Sequence, residues 1–428
     1  MHQTTSTASH PRGSLELVRR FFANVPLLAW FCGALVAVIL ERAVGLSMAQ
    51  SLGMPRIPVL FGFLVFLKQP ALIPGALGYV LLMNILPICI TAKIGAPVFN
   101  LVSRILYKMP LVVTALVHLA VLYAVFHFWA DVNAYRMIML KMMLISILLT
   151  LSLNVINGYM GEFSCSHPGF MALGAYAASL FTVGLFVNDQ LFGPAMMTSD
   201  YAVVFFPLGL FFTGLVSALG ALVIAIPSFK TRGDYLAIIS LAFTFIIKSV
   251  LENLEFLGGP RGLSGQPDWS SLPMVFIIVV FGVWVINNFV TSTMGKALNA
   301  VRDDEIAAEA MTVDTRKTKI IAFMFAAFWA GVAGGLFAHV LRFVNPSTFG
   351  IQKLAEVLAM VYFGGLNSVY GSIVGAVSIS LLGEALRPLE ILKWIIIPLL
   401  LILVMIFRPR GLISFKEFNI HNLLKPRG

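Results

Sequence analysis

The sequence has little charge, few cysteines and no long polar stretch. Charged residues make up 11% of the 428 residues, whereas hydrophobic residues make up 59%, and the mean hydropathy is +0.93. Soluble domains carry about 25% charged residues, so this composition excludes a soluble protein and predicts a polytopic helical membrane protein. The net charge of +10 is explained by the bias of Lys and Arg toward cytoplasmic loops, so it does not indicate a nucleic-acid partner.

Catalytic motifs are also missing. The sequence has no Gly-x-x-x-x-Gly-Lys-Ser/Thr phosphate loop, no paired histidines at helical spacing and no nucleophile with a base at helical spacing. We therefore expect a protein that is not an enzyme and holds no metal or cofactor, with any ATP hydrolysis in other subunits. Cys32, Cys89 and Cys165 lie in apolar surroundings at spacings that match no metal site, which favours buried free thiols.

What the sequence has instead is a series of apolar runs of membrane-spanning length. The predicted spans are 25–40, 72–92, 111–130, 137–156, 170–187, 202–226, 235–251, 273–291, 320–341, 354–370, 372–386 and 394–407. The fold class is therefore all-α, with about 11–12 transmembrane segments, some of them broken or re-entrant. Residues 57–67 are too short to span and are expected to be interfacial or re-entrant.

The distribution of Lys and Arg predicts the topology. It places residues 1–20, 227–234, 295–318 and 416–428 in the cytoplasm, and 188–200 and 252–269 outside. A basic cytoplasmic loop is expected around 93–108. The predicted domains are an N-terminal extension with about two membrane segments (1–109), a transmembrane core (110–415) and a cytoplasmic tail (416–428).

Two stretches interrupt helices at membrane depth, at 157–174 and 364–371. Glycine-rich backbone at this depth is tolerated only where it is buried in protein or lines a cavity. The candidate substrate-pathway residues are Asn154, Gly158, Gly161, Ser164, His167, Gly174, Gly364 and Gly365. An ordinary structural role is the alternative: His167 as a packed, hydrogen-bonded histidine, and Asn154 and Ser164 as interhelical hydrogen-bonding groups.

One charged segment, residues 295–319, stands between two apolar runs. It holds five basic and five acidic side chains. Residues 297–311 are mostly strong helix formers, and Asp303 or Asp304 could cap a short second helix. Such a helix at the membrane face suits docking to a partner, although a solvated connector is the commoner fate of a charged loop.

Four stretches occur in the order and spacing of a known family. They are Asn154, Gly158, Gly161, Ser164, His167, Phe170 and Gly174-Ala175-Tyr176; Arg232-Gly233-Asp234-Tyr235 with Gly258-Gly259-Pro260-Arg261-Gly262; Gly295-Lys296-Ala297, Arg302-Asp303-Asp304-Glu305 and Lys319; and Gly364-Gly365, Ser368, Gly371, Glu384 and Arg408-Pro409-Arg410-Gly411. From about residue 140 to 412 the chain resembles the M-type permease subunits of ATP-binding-cassette (ABC) importers for branched-chain amino acids. The first hundred or so residues match nothing in that family.

The chain departs from the family pattern at three places. His167 lies in Cys165-Ser166-His167-Pro168, where the family has Leu-Gly before the histidine and Ala after it. Thr244-Phe245 replaces Gly-Glu, which leaves the substrate open. Thr312 replaces a glycine after the short helix. Because a left-handed cap without glycine costs about 1 kcal/mol, we expect this helix to end differently.

The resemblance implies a function. It implies import of branched-chain or other small amino acids across a bacterial inner membrane, with both termini cytoplasmic. The implied partners are a second permease, two cytosolic ATPases that bind ATP, an extracytoplasmic solute-binding protein and the lipid bilayer. The residues expected to couple to the ATPase are Arg302, Asp303, Asp304, Glu305, Ala308 and Glu309.

Two alternatives remain. One is an ABC permease for urea or short amides. The other is an ion-coupled secondary transporter, which would need acidic or polar ion ligands within the spans. The predicted spans contain almost no carboxylates.

Overall fold

The computed structural model describes residues 21–59, 69–187, 193–195, 202–229, 235–408, 411–415 and 418–427. Several predicted features therefore lie wholly or partly outside the described residues. These are the tail 1–20, the apolar stretch 57–67, the outer loop 188–200, the inner turn with Arg232 and Asp234, Pro409-Arg410 and the start of the tail at 416–417.

The chain divides into two compact units. The first is Met1–Val132 with Asn419–Gly428, and the second is Asn133–Phe418. The predicted boundary at residue 109 lies inside the first unit and stays a prediction.

The helices of the first unit are α1 (Leu27–Ser51), α2 (Ile73–Tyr79), α3 (Leu86–Ile94), α4 (Ala96–Tyr107), α5 (Leu111–Ala130) and α17 (Ile420–Leu423). A 3₁₀ turn (Pro70–Leu72) precedes α2, and a π-helical turn (Val80–Ile85) joins α2 to α3. Together these pieces form one candidate span, Pro70–Ile94. The π turn lies between Pro74 and Pro87, two of the three prolines of this span.

The predicted basic cytoplasmic loop at 93–108 contains a helix, because residues Ala96–Tyr107 form α4, and its cytoplasmic location stays a prediction. The buried residues of α4 recur every three or four positions: Ala96, Asn100, Ser103 and Leu106. That spacing places them on one helical face. Two members of this face are polar, so apolar periodicity alone did not reveal the helix.

The helices of the second unit are α6 (Ala134–Asn154), α7 (His167–Phe186), α8 (Ala202–Ser228), α9 (Tyr235–Asn253), α10 (Leu272–Thr291), α11 (Thr293–Asp303), α12 (Glu305–Ala310), α13 (Thr315–Leu341), α14 (Ile351–Gly364), α15 (Val369–Ala385) and α16 (Lys393–Phe407). A π-helical turn (Val155–Met160) extends α6. Short 3₁₀ turns lie at Glu255–Leu257, Gly259–Arg261, Pro346–Phe349 and Arg387–Leu392.

Helix α13 is at the centre of the second unit, where it packs against α6, α7 and α8. Small residues make this packing close. A Cβ on Gly174 of α7 would overlap the backbone of Gly331 of α13, and one on Gly334 would overlap the carbonyl oxygen of Met171. Small residues at helix crossings allow backbones to approach within membranes, where van der Waals packing favours association.

Two short strands pair just beyond the C-terminus of α13. Strand β1 (Leu263–Ser264) pairs antiparallel with β2 (Phe343–Val344), with Leu263 opposite Val344. Gly262 adopts φ +79°, and a Cβ there would overlap the carbonyl oxygen of Val344. Glycine is therefore required at this close approach.

The prediction of an all-α polytopic membrane protein is confirmed. Among the described residues, nine helices are long and apolar enough to cross a membrane. Two shorter apolar helices, Val369–Ala385 and Lys393–Phe407, raise the candidates to eleven. They follow Gly364 and Gly365, where the sequence predicted broken helix.

Candidate functional site

The charged segment folds as two short helices that precede α13. Each of these three helices has a side-chain cap. The Ser292 hydroxyl accepts from the Gly295 amide at 3.4 Å, Asp304 accepts from the amides of α12 at 3.0 Å, and Asp314 accepts from the Lys317 amide at 2.9 Å. The predicted cap is therefore Asp304 and not Asp303. The carboxylates of Asp304 and Asp314 also interact favourably with the positive, N-terminal ends of their helix dipoles.

The expectation that α12 ends differently without a glycine is wrong. Thr312 itself adopts the left-handed conformation, with φ 68°. The Thr312 amide donates to the Glu309 carbonyl at 3.0 Å, and the Val313 amide donates to the Ala308 carbonyl at 3.1 Å. These two hydrogen bonds define a Schellman motif, which satisfies the last carbonyls of the helix.

Helix α12 has an exposed apolar side and a buried anchor. Ile306 is 73% exposed and Met311 is 78% exposed, whereas Ala308 is 5% exposed. Glu309 is also exposed. In the preceding helix α11, Leu298 and Val301 are buried. The segment is thus fixed to the membrane core through its small and apolar residues, while two large apolar side chains face outward beside charged ones.

Arg302 links this segment to the first interruption of the helices. We call residues 155–166 the first break; it comprises the π turn and an irregular stretch from Gly161 to Ser166. Arg302 donates from Nη1 to the carbonyl of Gly158 at 3.3 Å. A Cβ on Gly161, whose φ is +77°, would overlap Cγ of Arg302. Arg302 also pairs with Asp303 at 2.8 Å.

Lys319 makes a second link between the segment and the first break. Its Nζ donates to Oε1 of Glu162 at 2.8 Å and to Oε2 of Glu305 at 3.0 Å. The lysine side chain is 10% exposed, compared with 27% for Glu162 and 41% for Glu305. A nearly buried ammonium group therefore lies between a carboxylate of the first break and a carboxylate of α12.

Asn154 joins the first break to the second, which we define as residues 365–368 between α14 and α15. Its Nδ2 donates to the Ser372 hydroxyl at 2.7 Å and to the Ser368 carbonyl at 3.1 Å. Its Oδ1 accepts from the Asn367 amide at 3.1 Å. Asn154 is 1% exposed. One amide side chain thus satisfies backbone groups that an interrupted helix leaves free within the membrane core.

The segment 411–415 covers the second break. Its Leu412 amide donates to the Phe363 carbonyl at 3.1 Å, and its Ile413 amide donates to the Gly364 carbonyl at 2.8 Å. A Cβ on Gly365, whose φ is +131°, would overlap the Ile413 carbonyl oxygen. Phe415 then reaches the charged segment, with its ring centroid 5.4 Å from the guanidinium carbon of Arg302.

Cys165, between Ser164 and His167, links the first break to α9. The Cys165 amide donates to the Ser240 hydroxyl at 2.9 Å, and Thr244 Oγ1 donates to the Cys165 carbonyl at 2.9 Å. Two departures from the family pattern, at Cys165 and at Thr244, are therefore in direct contact. Ser164 is hydrogen-bonded to the Ser166 hydroxyl at 2.8 Å, and His167, fully buried, begins α7.

The predicted interruption up to Gly174 is wrong in its second half, because residues 167–174 are helical. Gly174 lies at the crossing of α7 with α13, against Gly331. Its glycine character serves helix packing, and it is not part of an irregular backbone. Gly364 is similar, since a Cβ there would overlap the carbonyl oxygen of Gly371 in α15.

The structure brings two predicted pathway residues against a predicted coupling residue. Gly158 and Gly161 contact Arg302 of the charged segment, whereas Asn154 and Gly365 lie at the second break. Sequence reasoning did not select Lys319 and Glu162 as site residues. A signal was present, because Lys319 is a lysine at the start of a long apolar run and Glu162 is a carboxylate inside the interrupted stretch. Within the described part of the chain, no three His, Cys, Asp or Glu side chains gather as a metal site requires.

Comparison with known proteins connects this architecture to a family. Residues 135–406 match the family described as "Branched-chain amino acid transport system / permease component". The chain is similar to the high-affinity branched-chain amino acid transport system permease protein LivM of Salmonella typhimurium. The two are 32% identical over 307 residues, which cover 64% of this chain and 68% of the relative.

Other relatives extend the comparison. LivM of Escherichia coli is 30% identical over 305 residues, which cover 63% of this chain and 68% of the relative. The autoinducer 2 import system permease protein LsrC of an Enterobacter species is 24% identical over 153 residues, which cover 35% of this chain and 43% of the relative. No solved structure shows a significant match.

The family match covers the charged segment, both breaks and the helices that hold them. The resemblance inferred from about residue 140 to residue 412 is therefore confirmed. With its long apolar helices, the protein is an integral membrane protein. The chain belongs to the family of branched-chain amino acid transport system permease components.

Proposed function

We propose that this protein is the transmembrane permease subunit of an ABC importer that moves branched-chain or other small amino acids across the inner membrane. The observation that carries the proposal is the charged segment. Helix α12 and its C-cap present Ile306 and Met311 outward. The same segment contacts the first break directly through Arg302, and through Glu305 by way of Lys319.

We call residues 295–318 of the charged segment the coupling segment; Lys319, which follows it, is counted with α13. A partner that binds α12 and moves would act on the first break through these contacts, and on the second break through Asn154. The two breaks are the places where the helices can change arrangement at least cost, because their backbone hydrogen bonds are already held by side chains. ATP hydrolysis in the partner would thereby alternate the access to a pathway between the helices.

The partners are part of the proposal. They are a second related permease, two cytosolic ATPases, which would bind the ATP, and an extracytoplasmic solute-binding protein. This chain would hold no cofactor of its own. Both termini and the coupling segment would be cytoplasmic in a bacterial inner membrane. Residues 1–109 would form an extension of the core 110–415, and residues 416–428 a cytoplasmic tail.

Uptake measurements test the energy source. Cells that contain the complete system are given radiolabelled leucine, and uptake is measured with vanadate or after collapse of the proton and sodium gradients. We expect uptake to stop with vanadate and to persist without the gradients. The opposite pattern would favour an ion-coupled transporter. Leucine uptake that unlabelled leucine reduces and urea does not would assign the substrate class, whereas uptake of radiolabelled urea without uptake of leucine would favour the urea permease.

A charge reversal tests the docking surface. Glu309 is exposed on α12, and exposed ion pairs contribute about 0–1 kcal/mol to stability, so Glu309→Lys should leave the membrane core folded. At an interface the same change costs roughly 2–5 kcal/mol of binding. We expect this variant to lose the ATPase on purification at normal abundance. Lys248→Glu is the control, since Lys248 pairs with Glu252 at 3.7 Å within α9. Full ATPase retention in Glu309→Lys would contradict docking at this segment.

A further inference from the structure

Lys319 has two acidic partners that belong to different parts of the molecule. Glu162 lies in the first break, and Glu305 is the first residue of α12. The ammonium group therefore connects the coupling segment to the interrupted helix by two short ion pairs, at 3.0 Å and 2.8 Å. Lys319 itself is held in α13, which packs against α6 and α7.

The two partners differ in how firmly they are held. Glu305 is 41% exposed and lies on a helix of six residues, while Glu162 is 27% exposed. A buried charge that loses its only partner is strongly destabilising. A lysine with two carboxylates avoids this penalty, because Glu162 still neutralises it when Glu305 moves away. The arrangement allows α12 to leave and return without exposing an unpaired buried cation.

We infer that Lys319 is a positioning residue for energy coupling, which transmits the displacement of α12 to the first break by exchanging Glu305 against Glu162. When α12 is seated, Glu305 shares the ammonium group and weakens its hold on Glu162. When α12 withdraws, Lys319 binds Glu162 alone and draws the first break toward α13. This inference rests on the proposed function, because it requires an ATPase that moves α12.

The Arg302 contact differs from the Lys319 contact. Arg302 pairs with its own neighbour Asp303 at 2.8 Å, within the coupling segment, and hydrogen-bonds to the first break at the Gly158 carbonyl. When the coupling segment moves, Asp303 therefore moves together with Arg302. Of these two links, only Lys319 has one charge partner in the first break and another in the coupling segment.

The decisive experiment measures substrate imported per ATP hydrolysed, with the complete complex in proteoliposomes. Glu305→Gln removes the exchangeable charge at a partly exposed position and leaves Lys319 paired with Glu162. We expect normal abundance, normal ATPase retention and continued ATP hydrolysis, with import per ATP reduced about fivefold or more, in the range of typical couplings between sites.

Lys353→Gln is the matched control. Lys353 also forms a 3.0 Å ion pair, with Glu356, and its side chain is 14% exposed, but this pair lies within α14. We expect unchanged import per ATP.

A charge-swap rescue adds a second readout. Lys319→Glu gathers three carboxylates and should uncouple the complex, whereas combining it with Glu162→Lys and Glu305→Lys rebuilds both pairs and should recover part of the loss.

The outcomes separate this inference from the proposed function. If the wild-type complex imports nothing in response to ATP, the proposed function fails and the inference fails with it. If the wild type is coupled and Glu305→Gln imports as much per ATP as the wild type, the inference alone is overturned. Loss of ATPase retention in Glu305→Gln with normal import per ATP would also overturn it, since Glu305 would then serve only docking.

Discussion

Gly161 of the first break and Arg302 of the coupling segment lie so close that a single added methyl group would overlap the arginine side chain. This contact places a predicted pathway glycine against a predicted coupling arginine. It explains why Gly161 must be glycine on two counts, its left-handed φ of +77° and its neighbour. It also predicts that substitutions at Gly161 act on coupling.

The Gly161 contact can be tested against a glycine of equal backbone conformation. Gly53 also has φ +77°, but nothing lies within 4 Å of a Cβ there. Each Gly→Ala change should cost about 1–2 kcal/mol from the left-handed backbone. Only Gly161→Ala should also displace Arg302 and lower uptake, and Gly161→Leu should abolish it without preventing membrane insertion. Uptake and abundance are measured together, and equal uptake in Gly161→Leu and wild type would refute the prediction.

Gly174 should be critical for helix packing. Gly174→Ala pushes α7 away from Gly331 and should lower stability by about 1–3 kcal/mol, as overpacking does. Gly184 on the same helix has nothing within 4 Å of a Cβ, so Gly184→Ala should be neutral or stabilising by about 0.5–1 kcal/mol. Thermal unfolding of the detergent-solubilised protein measures both, and an equal Tm for the two variants would contradict the packing role.

Loss of the Asn154 side chain should loosen the second break. Asn154→Ala leaves the Asn367 amide without its partner, and a buried unsatisfied group costs about 1–3 kcal/mol. We expect faster amide exchange at residues 365–368 and reduced uptake. Ser152→Ala serves as the control, because the Ser152 hydroxyl donates to the Leu149 carbonyl within its own helix. Unchanged exchange in Asn154→Ala would show that other contacts hold this break.

Thr312→Gly should stabilise α12. A β-branched residue is rare in the left-handed conformation, and glycine adopts it without a steric penalty. We expect a gain of about 1 kcal/mol in local stability, seen as slower hydrogen exchange at the amides of residues 312 and 313. Thr312→Ala removes the hydroxyl but keeps a Cβ, so it should gain much less. Equal protection in both variants would mean that the backbone conformation is not the limiting factor.

The orientation in the membrane is tested by labelling. Ala310 is exposed at the end of α12, so Ala310→Cys in a cysteine-free background offers an accessible thiol. We expect an impermeant reagent to label it in inside-out vesicles and not in intact cells. A cysteine placed at Ser264, between α9 and α10, should show the opposite pattern. Labelling of position 310 from outside intact cells would contradict the proposed topology.

Much of the architecture follows from the sequence alone. Membrane helices are determined by the need to hydrogen-bond every backbone polar group within one segment, so apolar length locates them. The spans at 111–130, 273–291 and 394–407 were therefore predicted to within a residue or two. Helix α12 was also predictable, because its cap, Asp304, bonds to amides that are its near neighbours in the chain. The family and the all-α class required no tertiary information.

The tertiary structure decided how these pieces meet. Gly158, Gly161 and Gly174 look alike in sequence, yet their contacts differ. The Gly158 carbonyl accepts from Arg302, Gly161 packs against the Arg302 side chain, and Gly174 packs against Gly331. Lys319 is connected to the first break only by folding, because its partner Glu162 is 157 residues away. Local patterns determine which backbone groups need partners, whereas long-range packing selects the side chains that supply them. The composition of this chain therefore determined a helical membrane protein, and only its folding joined the coupling segment to the first break.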